Sequence, residues 1–157
     1  MLSAAVDGAA RGNPGPAGAG VWLADGKGRT VGEHSVYLGE TTNNVAEYAA
    51  LLVALHEAAR LGAREVRVQS DSELLVKQLQ GEYRVKDPTL RVFHALARRM
   101  QDGFARCTVT HVPREQNRTA DRLANRAVDA GLRAQTAARR PAAPGDPTQR
   151  TFSFPTS

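Results

Sequence analysis

From Val45 to Leu55 the chain runs Val-Ala-Glu-Tyr-Ala-Ala-Leu-Leu-Val-Ala-Leu, apolar or aromatic at every position except Glu47. A helix this apolar around nearly its whole circumference is stable only inside a fold, packed on more than one side. Its start is marked: Asn44 can sit at the N-cap with Glu47 three residues on, a loose capping box. Glu47 then has two readings. It can cap the first turn and face the positive end of the helix dipole, or the helix can deliver a carboxylate into a cleft. The rest of the chain has to decide between them.

At 157 residues the chain is long enough for one domain with a real core and needs no disulfide or structural metal. The lone cysteine, Cys107, excludes a disulfide framework and suggests a reducing compartment. The first residues lack a signal-peptide pattern and no apolar run approaches membrane-span length, so a cytoplasmic protein with no membrane contact is expected. The net charge is +5, of which the stretch from Arg133 onward holds +3, leaving the body weakly basic. Such a balance favours polyanionic partners. No strong basic stripe stands out in the body, so a grip on nucleic acid has to use backbone amides and polar side chains as well.

Leu2 to Gly8 alternates, with Leu2, Ala4 and Val6 on one face, as a strand does. Gly8 to Gly20 is rich in Gly and Pro and is expected to be a loop, either a wide hairpin turn or a backbone surface a ligand can approach. It has no Walker ending and no G-x-G-x-x-G opening a helix. Val21 to Leu23 and Thr30 to Leu38 are the expected second and third strands, turned at Asp25-Gly26-Lys27-Gly28. The apolar helix follows to about Leu61, stopped by Gly62. Then come a strand at Glu65 to Gln69, a helix at Glu73 to Gly81 and a helix from Asp87-Pro88 whose buried stripe is Leu90, Phe93, Leu96, Ala97 and Met100. A fifth strand at Ala105 to Val112 leads through a loop to a last helix, apolar at Ala120, Leu123, Ala124, Ala127 and Val128. Strands joined by tight turns pair antiparallel, and strands joined through helices add in parallel. The expected fold is α/β, a mixed five-stranded sheet with its first three strands antiparallel and helices on both faces. Residues 1–133 form the domain. Residues 134–157, rich in Ala, Pro and Arg, are expected to be a disordered tail.

Four acids stand at element ends. Asp7 closes the first strand, Glu47 is in the first turn of the apolar helix, Asp71 follows the fourth strand and Asp121 is in the first turn of the last helix. Singly, each can be a turn, cap or dipole residue. Jointly, strand ends and helix starts of an α/β sheet converge on one edge. Four carboxylates there would repel unless protonated or bound to cations. Oxygen ligands without a His or Cys cluster favour Mg²⁺ or Mn²⁺ over zinc, and two such ions in a carboxylate cluster suit in-line phosphoryl displacement.

Asp7-Gly8 with Gly12-Asn13-Pro14-Gly15, Thr41-Thr42-Asn43-Asn44 with Glu47, Ser70-Asp71-Ser72, and Asn117 to Ala120 with Asp121-Arg122-Leu123-Ala124 follow one another in order. In these pieces the chain resembles ribonuclease H type 1, over about Leu2 to Leu132. The resemblance implies a ribonuclease H-like fold and Mg²⁺-dependent endonucleolytic hydrolysis of the RNA strand of an RNA–DNA hybrid, leaving a 5′-phosphate and a 3′-hydroxyl. Asp7, Glu47, Asp71 and Asp121 would hold two Mg²⁺ ions, with Mn²⁺ as an alternative. Gly12, Asn13, Thr42, Asn43 and Asn44 would contact substrate: the Gly12 to Gly15 backbone and Glu47 at ribose 2′-hydroxyls, the asparagines along the minor groove, Thr42 at a phosphate of the DNA strand.

The chain departs from well-known bacterial members twice. Only Glu82 to Lys86 separates the two middle helices, where those members have an extra helix and a basic protrusion. The loop Pro113 to Ala120 has no histidine, leaving Glu115 or Arg118 as substitutes, while His111 is assigned a structural role. Gln149 to Phe154 resembles short peptides that dock bacterial sliding clamps. A monomer is expected. Two other functional classes remain: a hybrid-binding module without turnover, and a related nuclease acting on DNA. The acidic set argues against the first and the Asn- and Gly-containing segments against the second.

Overall fold

The structure, a computed structural model, describes residues 1–139. Its strands are β1 (Leu2–Ala10), β2 (Gly15–Ala24), β3 (Thr30–Thr41), β4 (Glu65–Ser70) and β5 (Arg106–His111). The helices are α1 (Asn43–Arg60), α2 (Glu73–Leu79), α3 (Pro88–Asp102) and α4 (Arg118–Ala138), with a 3-10 turn at Arg114–Gln116. The sheet order is β3-β2-β1-β4-β5. β1 pairs antiparallel with β2 and parallel with β4, β2 antiparallel with β3, and β4 parallel with β5. This is the expected mixed sheet, with α1 packed on one face and α4 on the other.

β1 is therefore the central strand, and its side chains are buried on both faces from Ala4 to Gly8. On the α1 side, Leu2, Ala4 and Val6 join Ala19, Val21 and Leu23 of β2 and Leu51, Ala54 and Leu55 of the helix. α3 covers α1 from outside, which is why a helix apolar on nearly every side suits this place. Tyr48 crosses to α2, its hydroxyl donating to Gln78 Oε1 at 2.7 Å.

Four expectations need correction. The stretch Gly8 to Gly20 is not a loop: β1 runs on to Ala10 and β2 starts at Gly15, leaving a tight turn around Gly12. Its glycines serve close packing between backbones. A Cβ on Gly8 would stand 2.3 Å from Ala46 C in α1, and one on Gly20 would stand 2.2 Å from Ala120 O in α4. Secondly, the cap of α1 is Thr42, whose Oγ1 accepts from the Val45 N–H at 3.3 Å, two residues earlier than Asn44. Thirdly, Leu96 on the outer side of α3 is 47% exposed, because α3 is an outer helix with only a narrow buried stripe. Lastly, α4 continues to Ala138, so residues 134–138 are helical and not tail. Ala, Arg and Gln are strong helix formers, and the first proline beyond them is Pro141. The Gln149 to Phe154 segment lies outside the described residues.

The glycine packing has a sharp consequence. Gly20→Ala should lower stability by about 2 kcal/mol or more, since the obstructing atoms are helix backbone and cannot turn aside. Gly26→Ala, whose Cβ would meet nothing nearer than Met1 O at 3.6 Å, should change stability little. Urea unfolding of the two variants beside the parent measures the contrast.

Candidate active site

The parallel pair β1–β4 ends in register, Val6 opposite Ser70. Asp7 and Asp71 are the residues that follow each of them, so the end of this pairing sets two carboxylates side by side. Asp7, expected from the sequence to close its strand, does not: it stays paired to Gly20 of β2 while β1 runs on to Ala10, and what ends there is its parallel neighbour. Beyond Ser70, β4 turns away into α2, where the Ser72 hydroxyl caps Leu75 N–H. That departure leaves the Asp7 side open.

Glu47 arrives from above the same place. Because Gly8 has no side chain, the first turn of α1 lies against β1, and the Gly8 N–H donates to Glu47 Oε2 at 3.0 Å. The capping role for Glu47 is thereby replaced: its carboxylate bonds another element's backbone, and Thr42 caps the helix. Asp7, Glu47 and Asp71 each present a carboxylate oxygen within 4.8 Å of the others. Asp7 and Glu47 are buried and Asp71 half-buried. Asp121 stands outside this trio but lines the same recess, of about 450 Å³. Its backbone carbonyl and Oδ1 accept from Asn125 Nδ2 at 3.0 and 3.3 Å.

Burial is the largest cause pushing the Asp7 carboxyl far above the ordinary carboxylate range, followed by the negative charge of Glu47 and a hydrogen bond with Asp121. Glu47 is also raised, by burial and then by Asp71, with the Gly8 N–H pulling the other way. Among the described residues no Lys, Arg or His forms an ion pair with any member of the trio. Arg114 reaches only Asp121, at 4.0 Å and largely in solvent. A tight, partly buried set of hard oxygen donors, unpaired with protein cations among the described residues, fits a divalent ion such as Mg²⁺ or Mn²⁺.

Of the remaining expected contact residues, only Asn43 lines this recess; the others lie in the β1–β2 turn and at the start of α1. Gly12 takes φ +110°, and Asn13 sits exposed in the β1–β2 turn, where its Oδ1 accepts from the Asn43 N–H at 3.2 Å. This bond ties the turn to the start of α1. Thr42 and Asn44 are half-buried there, and Asn43 lines the acidic recess.

Three positions were missed from sequence. Asn125 is one helical turn after Asp121, a spacing that could have flagged it. Asn117 is buried at 1% exposure and donates Nδ2 to the Val6 carbonyl at 2.9 Å, pinning the start of α4 to β1 just before Asp7. A polar residue before a helix looks like a cap, but Asn117 makes no side-chain cap bond. Arg114 lines the acidic recess from the 3-10 turn, and nothing in its spacing signals that. His111, assigned a structural role, is exposed at the end of β5 opposite Ser70, because β5 is an edge strand.

A family model described as reverse transcriptase-like matches residues 5–127. The chain is 47% identical over 128 residues to ribonuclease HI of Halobacterium salinarum, covering 82% of this chain and 64% of that protein. It is 44% identical over 139 residues to a bifunctional protein of Mycobacterium tuberculosis, covering 87% of this chain and 38% of that one. The chain thus spans less than two thirds of either relative. Among solved structures, the Halobacterium salinarum RNase H1 superimposes with a TM-score of 0.80 at 46% identity, covering 82% of this chain and 98% of that one. LC11-RNase H1 in complex with an RNA/DNA hybrid gives 0.80 at 47%, covering 84% and 99%.

The raised carboxyls link stability to pH. Asp7 and Glu47 bind protons more tightly folded than unfolded, so their contribution is fully present below the unfolded carboxylate pKa of about 4 and is lost as pH rises above it. In EDTA, Tm should fall as pH is raised from 5 toward 9. Millimolar Mg²⁺ should recover it, more at pH 9 than at pH 5, because cations bind the deprotonated set. Scanning calorimetry across pH with and without Mg²⁺ checks both signs.

Proposed function

The chain belongs to the ribonuclease H type 1 family, and from that premise we propose that it is a metal-dependent endoribonuclease acting on RNA–DNA hybrids. It would hydrolyse the RNA strand and leave 5′-phosphate and 3′-hydroxyl ends. The single observation supporting this most is the meeting of Asp7, Glu47 and Asp71 within 4.8 Å, with Asp121 on the same recess. A pure binding module has no use for an acidic cluster where phosphates must come.

In this reading Asp7, Glu47, Asp71 and Asp121 hold two Mg²⁺ ions, with Mn²⁺ able to take their place. Ions bound there supply an activated water and offset charge on the leaving oxygen. The protein's own part is placement. The Gly8 N–H holds one Glu47 oxygen, which keeps that carboxylate from swinging out of the recess. Asn125 orients Asp121, and Asn117 anchors the helix that carries it.

The same recess borders groups suited to reading a hybrid. The Asn13 amide keeps its NH₂ free while its oxygen serves Asn43. With the Gly12 backbone, Asn43 and Asn44, it forms a polar surface fit for minor-groove edges and 2′-hydroxyls, the groups that distinguish RNA from DNA. Thr42 accepts from Val45 N–H, so its hydroxyl hydrogen is available to a phosphate oxygen of the DNA strand. All these residues come from one chain, in keeping with an active monomer. LC11-RNase H1, 47% identical, has been seen with an RNA/DNA hybrid.

Labelled hybrid, duplex RNA and duplex DNA, each with and without Mg²⁺, should give cleavage of the hybrid's RNA strand only when the ion is present. Asp71→Asn should cut that rate by more than about a hundredfold, beyond the range for outer-shell partners, while hybrid affinity is retained. Near-normal cleavage by this variant would remove Asp71 from the site.

A further inference from the structure

Beside the acidic recess lies a second one of about 540 Å³, lined by Arg114, Glu115, Arg118, Thr119, Asp121 and Arg122. The sequence shows no basic stripe because Arg114 belongs to the 3-10 turn, while Arg118 and Arg122 are on successive turns of α4. The fold gathers the three guanidinium groups at one opening. All three residues are exposed, and the acids in the recess are only Glu115 and Asp121. Arg11, Arg29 and Arg60 are engaged by Asp129, Asp25 and Glu57. Arg118 and Arg122, among the described residues, pair with no carboxylate. Arg114 and Asp121 line both recesses, which are therefore neighbours.

We propose that this arginine recess binds the sugar–phosphate backbone of the nucleic acid whose reacting phosphate occupies the acidic recess. The inference rests on the functional reading above. Arg118 and Arg122 are its anchors, four residues or about 6 Å apart along the helix axis. Planar guanidinium forks match pairs of phosphate oxygens, and they carry no preference for base sequence. The Asn117 amide is bonded to Val6 and leaves the first turn of α4 without a side-chain cap, so the positive end of this long helix adds to the attraction. The juxtaposition divides labour. One recess carries excess negative charge and takes cations, and its neighbour carries excess positive charge and takes the flanking phosphates that the acids would repel.

The test is Arg118→Ala with Arg122→Ala in one variant, beside Arg118→Lys with Arg122→Lys. Fluorescence anisotropy of a labelled hybrid in EDTA, over a KCl series, reads binding whether or not the protein cleaves. The alanine variant should bind about tenfold more weakly near 0.1 M salt, and its plot of log affinity against log salt should be shallower by about 1 to 2, roughly one for each phosphate that is no longer neutralised. The lysine variant, which keeps the charge, should recover most of that slope. With Mg²⁺, the alanine variant should raise KM, as expected when a group that grips the flanking phosphates is removed. An unchanged Kd and salt slope in the alanine variant would overturn the proposal. Failure of the functional reading has a different mark: absence of hybrid cleavage by the parent protein.

Discussion

Asp7, Glu47 and Asp71 are held with oxygens within 4.8 Å of one another, and no cation among the described residues pairs with them. Charges so placed repel, and partial burial weakens the screening that water would give. The rest of the molecule has to keep them there. Each carboxylate is therefore carried by a different rigid element: the central strand, the helix buried against it, and the turn where a neighbouring strand stops. None of the three sits on a long loop that could relax away.

That rigidity depends on how closely helix and sheet approach. Gly8 lets α1 lie on β1, and Gly18 and Gly20 let α4 lie on β2 from the other side. With ordinary side chains at these positions the helices would ride higher. Glu47 would lose its bond from the Gly8 N–H, and Asp121 would move away from the Asp7 recess. Backbone packing this close leaves no room for adjustment. The Asn117 bond to the Val6 carbonyl is a third clamp, applied one residue before Asp7.

Charge is distributed with equal economy. The acids converge at the end of the β1–β4 pairing, while Arg118 and Arg122 line the neighbouring recess, with Arg114 and Asp121 shared between the two. In a protein whose body is only weakly basic, the arrangement of charge matters more than its total. A polyanion meets attraction beside the acidic recess and needs divalent cations within it.

The amino-acid sequence alone determined the element order, the antiparallel first three strands and the buried central helix, because these follow from periodicity and chain connectivity; it also singled out the three acids whose oxygens meet. It misplaced Gly8 to Gly20, since a glycine that makes room for a helix looks locally the same as a glycine that makes a turn. It also assigned Asn44 the cap, where Thr42 is found, and began the tail at residue 134, where the last helix runs on to Ala138. Which groups touch was decided only in three dimensions. The trio depends on strand register, Asn117 on a bond across 111 residues, and the arginine recess on a 3-10 turn folding back toward α4. Local pattern records what each segment prefers; contacts between distant segments are set when the sheet and helices pack, and the chemistry of this site resides in those contacts.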